Sequence, residues 1–161
     1  MMNTLLLRSR VVNSIAVVFS LLLAQTASAD YLGELCWTLN ITERNEVQTD
    51  ETYVVKFGVT HMGDDYYTLQ GYALVDDPTI MQASAVVIGD TAHFHFSSSE
   101  YHPSDLSRDI AIGNARLSMS TLSGPFFGLN TFYDPMPPTF TDSLAVGTMT
   151  LVECPQQSGL N

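Results

Sequence analysis

His93 and His95 flank Phe94, and Glu100 follows five positions after His95. Side chains two apart on a strand share a face, so both imidazoles can reach one ion. Imidazole with carboxylate suits zinc or another transition metal, which makes His93, His95 and Glu100 the candidate metal ligands. A plainer reading competes. Phe94 and Phe96 take the apolar side of the same run, which turns His93 and His95 outward to water. His61 and His102 join only if folding brings them in. Acid pairs Asp50-Glu51, Asp64-Asp65 and Asp76-Asp77 fall at expected turns, where carboxylates cap backbone donors. None has the regular spacing of a calcium loop. No Gly-x-Ser-x-Gly nucleophile motif occurs, so no catalytic residue is assigned. Cys36 and Cys154, the two cysteines, are each other's only intramolecular partner.

The placement of these groups depends on what surrounds them. Residues 1–29 read as a secretory signal peptide: Arg8 and Arg10, an apolar run, then Ala27-Ser28-Ala29 as cleavage site. Residues 30–161 form one domain, long enough for a core. They hold all 17 acids but only Arg44, Lys56, Arg108 and Arg116 as cations, a net charge of −13. Such a surface repels phosphate backbones and anionic membranes, which excludes nucleic acid as a partner. A periplasmic or secreted location follows, and there two cysteines form a disulfide. After signal cleavage no membrane insertion is expected, because the outward residues are polar, the reverse of a transmembrane barrel.

The domain alternates with period two. In residues 33–42, Leu35, Trp37, Leu39 and Ile41 oppose Glu34, Cys36, Thr38 and Asn40. Similar runs cover 51–61, 66–75, 79–88, 91–98, 108–121, 124–133 and 143–154. The run over 124–133, with its glycines, is expected to carry a bulge. Residues 99–107 read as a polar loop, and 134–138 as a proline-rigid one. About eight strands with short connections and no crossover helices imply antiparallel neighbours. The expected fold is all-β, an antiparallel up-and-down barrel of about eight strands, with a β-sandwich as the alternative. The cysteines favour the barrel, since a bridge on the outer side of a first-to-last strand seam fits both patterns.

Many inward positions are small: Gly71, Ala73, Ala83, Ala85, Ala111, Gly113, Ala115 and Gly147. Either aromatics lean across to fill the space or a pocket is left. A pocket would be lined by Trp37, Tyr53 and Phe57 from the first strands. The middle strands would add Tyr67, Ala73, Ala85 and Phe94, and the sixth Ala115 and Met119. Such a lining suits a small apolar or aromatic molecule. An exported domain opening with Gly33 and Trp37 and continuing through eight alternating strands resembles the calycin group of lipocalins, avidins and fatty-acid-binding proteins. That resemblance implies a barrel holding a small molecule at its open end, with Trp37 plugging the closed one. Separately, His-x-His-x4-Glu is similar to half of the first cupin motif, although Val87 and Ser107 stand where its glycines belong. The leading expectation is therefore a non-catalytic ligand-binding barrel without a cofactor. Two alternatives are a cupin-like protein with a transition metal at His93 and His95, and an interaction module whose barrel is filled.

Overall fold

The computed structural model describes residues 29–75 and 79–155. The signal segment, apart from its last residue, and the Asp76-Asp77-Pro78 turn lie outside the described residues. Eight strands follow one another: β1 (Asp30–Arg44), β2 (Val47–Gly63), β3 (Tyr66–Ala73), β4 (Thr79–Ile88), β5 (Thr91–His102), β6 (Ser107–Ser118), β7 (Gly124–Pro135) and β8 (Pro138–Val152). Each pairs antiparallel with its chain neighbours, and β8 returns to pair with β1. The sheet is a closed up-and-down barrel, and closure leaves no edge strand exposed.

Alternation decides which side of each strand is buried. Trp37, Leu39 and Ile41 of β1 meet Leu151, Met149 and Gly147 of β8 across the seam. Cys36 and Cys154 bridge on the outer side of that seam, their Cα atoms 5.0 Å apart and 118 residues distant in sequence. A disulfide of this kind persists in oxidising compartments. The β1–β2 turn places Asn45 and Glu46 at φ of 50° and 66°. Two consecutive positive φ angles match the twist of the flanking strands, which is why two-residue hairpins use them.

Several strands differ from the sequence expectation. β5 runs on to His102, so residues 99–102 are strand and not loop. Ser98 and Glu100 continue the inward series and Ser97, Ser99 and Tyr101 the outward one, but both faces there are polar and no hydrophobic alternation shows. Asp50 and Glu51 lie inside β2, not at a turn. β7 pairs with β8 without a register shift, so the expected bulge is absent there. Shifts occur instead between Tyr31 and Gly33, Ile41 and Glu43, and His61 and Gly63. Met119 sits in the β6–β7 turn and not on a strand.

The small inward residues have a steric cause. Phe94, Phe96 and Phe126 come from strands flanked by them, and their rings form a continuous series with Trp37 and Phe57. Successive centroids are 5.9–6.4 Å apart. A Cβ on Gly113 would fall within 2.9 Å of three Phe96 ring atoms, so at that position the ring occupies the volume a larger side chain would need. At Gly147 and Gly71 a Cβ would first meet the neighbouring strand's backbone, the Asn40 carbonyl oxygen and the Lys56 carbonyl oxygen respectively. Aromatics from β1, β2, β5 and β7 thus lean across thin-walled neighbours and fill the barrel's waist.

Candidate functional site

The filled waist divides the interior in two. Leu39, Val55, Phe57, Met81, Phe94, Phe96 and Met149 meet there and leave no room for a water molecule. Above and below lie separate recesses of opposite character.

The first recess, about 250 Å³, opens at the end that carries the β2–β3, β4–β5 and β6–β7 turns. Trp37 and Phe94 form its floor; Leu35, Val59, Leu69, Ala85 and Leu117 form its walls. Tyr67, Met119 and Leu122 lie toward its rim. Trp37 is held by the indole N–H, which donates to the Leu122 carbonyl oxygen at 2.9 Å. That bond ties β1 to the β6–β7 turn and orients the ring. Of the nine residues expected to line a pocket, Trp37, Tyr67, Ala85, Phe94 and Met119 meet here.

The second recess, about 180 Å³, opens at the opposite end and is polar at its mouth. Tyr53 and Ala73 line this one. Phe57 belongs to the waist, and Ala115 is buried in the barrel wall beside Phe94 and Phe126. The expected single pocket is therefore two half-pockets with a plug between them.

The second mouth holds a polar network among inward-facing residues. Arg44 donates from Nε to Glu51 Oε1 at 3.0 Å and from a terminal nitrogen to Oε2 at 2.6 Å. Its other terminal nitrogen donates to Ser143 Oγ at 2.9 Å. Tyr53 and Thr49 add hydroxyl donors to the same carboxylate. The hydrogen bond from Arg44 is the largest cause that holds the Glu51 carboxyl down at about 2, with the Tyr53 hydroxyl a further contributor. Arg44 is raised in return. Tyr53 is raised as well, first by burial and then by the neighbouring Glu51 carboxylate. Across the mouth, Asp109 accepts from Asn130 Nδ2 and lies 2.9 Å from His102 Nε2. One sequence signal for this network exists. Glu51 shares its face with Tyr53 and Val55, and Asp109 shares its face with Ala111 and Gly113, so both acids occupy inward positions.

His93 and His95 face outward, as Phe94 and Phe96 turn inward. They border an outer groove with Asn114, Arg116, Pro125, Phe127 and Val146. His95 Nδ1 donates to Asn114 Oδ1 at 3.0 Å, and His93 pairs across strands with Arg116. Glu100 lines the interior second recess, on the other side of the sheet. The three expected ligands therefore do not converge, because five positions is an odd step along a strand. The Arg116 guanidinium beside His93 further opposes a cation. Among the described residues, no three His, Cys, Asp or Glu side chains gather as a metal-holding group.

Compared with protein-family models, curated proteins and solved structures, the chain matches none. The closed eight-strand layout is compatible with that of calycins, and that is the extent of the likeness.

Proposed function

We propose that this chain is an exported β-barrel that binds one small apolar or aromatic molecule in the Trp37 recess, without transforming it. The observation that carries this reading is the recess itself. It holds about 250 Å³. An apolar cavity of roughly 150 Å³ accepts a benzene ring. One substituted ring or a fused pair is therefore the size class. The lining is hydrocarbon and aromatic apart from the Tyr67 phenol, so it can desolvate a ligand and offer one hydrogen bond. Among the described lining residues there is no carboxylate, imidazole or thiol to act as acid, base or nucleophile, which supports binding over catalysis.

The signal-like leader and the disulfide support export, and the apolar interior, the reverse of the polar lumen of a transmembrane barrel, supports a barrel that stays in water. Trp37 is the only tryptophan of the chain. Its emission therefore reports on the floor of this recess alone. Titration with naphthol-sized aromatics should shift or quench that emission saturably. Ala85→Leu, which fills the recess between Tyr67 and Phe94, should weaken binding by about tenfold or more while the fold is kept. A panel of such probes that leaves the emission unchanged would refute the reading.

A further inference from the structure

We propose that the outer face of β6, β7 and β8 is the contact through which two copies of this chain dimerise. This goes beyond ligand binding and does not depend on it. The cross-strand rows around the outside carry the inference. One row runs Gln70, Gln82, Ser97, then Ile112, Leu129 and Leu144. The row beside it runs Thr68, Ser84, His95, Asn114, then Phe127 and Val146. Each row is polar across β3 to β5 and becomes apolar toward β8. Ile110 extends the apolar area by one more outward position on β6. In these rows apolar side chains adjoin across three consecutive strands, β6, β7 and β8.

The area is of the right order. Ile110, Ile112, Phe127, Leu129, Leu144 and Val146 are 39–54% exposed. Together they present roughly 500 Å², the upper range for an apolar patch on a monomer. Tyr133 and Phe140, whose rings lie 4.9 Å apart, continue the face toward the β7–β8 turn, and Phe140 is 74% exposed. With them the face reaches roughly 700 Å², close to the 800 Å² that each partner of a standard interface contributes.

Area and the placement of charge together point to a second copy as the occupant. The domain carries −13. The outward positions of these three strands hold two of its four cations, Arg108 and Arg116, and one acid, Asp142, which accepts from the Thr131 hydroxyl at 2.7 Å. The described acids lie mostly at turns, strand ends and inward positions, so copies that approach end-on repel, while side-on approach through the barrel wall avoids them. Here they can meet with hydrocarbon at the centre and cations at the flanks, the composition of an interface core: aromatic and arginine present, lysine and glutamate missing. A face that closes on its own copy by a two-fold axis is also the commonest oligomer geometry. Like-charge repulsion beyond the contact is screened within about 8 Å at physiological ionic strength. Association should therefore strengthen with salt.

Sedimentation velocity and light scattering on the mature, disulfide-bonded chain, diluted from about 0.1 mM to below the micromolar range, test this. The expected result is a doubled mass at high concentration, with the transition moving to lower concentration as salt is added. Leu129→Asp and, separately, Phe127→Asp should give the monomer mass throughout, with unchanged far-UV spectra and thermal midpoints. Gln82→Asp, on the polar side of the same row, should dimerise like the parent. A parent that is monomeric throughout overturns the proposal. So does a dimer that survives both aspartates, or one that Gln82→Asp abolishes equally. A monomer that floats with neutral phosphatidylcholine vesicles would assign the face to a lipid surface and overturn it as well.

Discussion

Glu51 is the residue on which the polar mouth turns. It receives two bonds from Arg44 and one each from Tyr53 and Thr49, and its carboxyl is lowered from 4.5 to about 2. A carboxyl that ionises more readily folded than unfolded stabilises the fold above its unfolded value, and that contribution disappears as pH falls through the folded one. The advantage of the parent over Glu51→Gln should therefore be full above pH 4.5 and vanish by about pH 2. Both side chains keep some solvent contact, 28% and 30%, so the gap should be roughly 1 kcal/mol. Urea midpoints of both proteins across that window check it; a gap that stays constant with pH would mean the pair contributes no charge-dependent stability. Lys56 and Glu34 form a second pair on the outside, 2.7 Å apart, where water screens the attraction.

At the scale of elements, the hairpins explain why the strands hold register. Asn45 and Glu46 take left-handed backbone, a conformation that asparagine tolerates and glutamate resists. Replacing Glu46 by glycine should remove that strain and give the Asn-Gly pair that two-residue turns favour. A gain of about 0.5–1 kcal/mol in chemical denaturation is the expected outcome, since the flexibility of glycine in the unfolded chain offsets part of the relief. A loss would show that the Glu46 side chain makes a contribution of its own. Strand β5 shows where element boundaries escape a hydrophobicity reading. Its last four residues pair fully with β6, from Ser99↔Ile110 to His102↔Ser107, yet both of their faces are polar. Periodicity is visible only when one face is dry.

For the whole molecule, closure and the disulfide are one topological fact. The bridge joins β1 to the residues just past β8 and encloses 118 residues of sequence separation. The chain-entropy model assigns such a loop roughly 4–5 kcal/mol. A Cys36→Ala, Cys154→Ala double variant should lose roughly 3–5 kcal/mol of unfolding free energy, read from denaturant midpoints, and stay folded at low temperature. Stability unchanged from the parent would mean that the β1–β8 hydrogen bonds alone hold the seam.

The amino-acid order by itself showed about eight alternating runs and their inward faces, and it favoured the closing seam over a sandwich. Each of these follows from period-two patterning and from two cysteines placed on outward sides of the first strand and just beyond the last. Outward-facing His93 and His95 were legible for the same reason. Three-dimensional packing alone decided whether the barrel is hollow. The side chains of Phe57, Phe94, Phe96 and Met149 meet from strands far apart in sequence, and their contact depends on ring size against small neighbours, which no local pattern encodes. Packing likewise placed Arg44 on Glu51 and gathered Ile112, Leu129 and Leu144 into one row. Register around a closed sheet is a property of all eight strands together, and it is that register which turns scattered side chains into a mouth, a plug and a face.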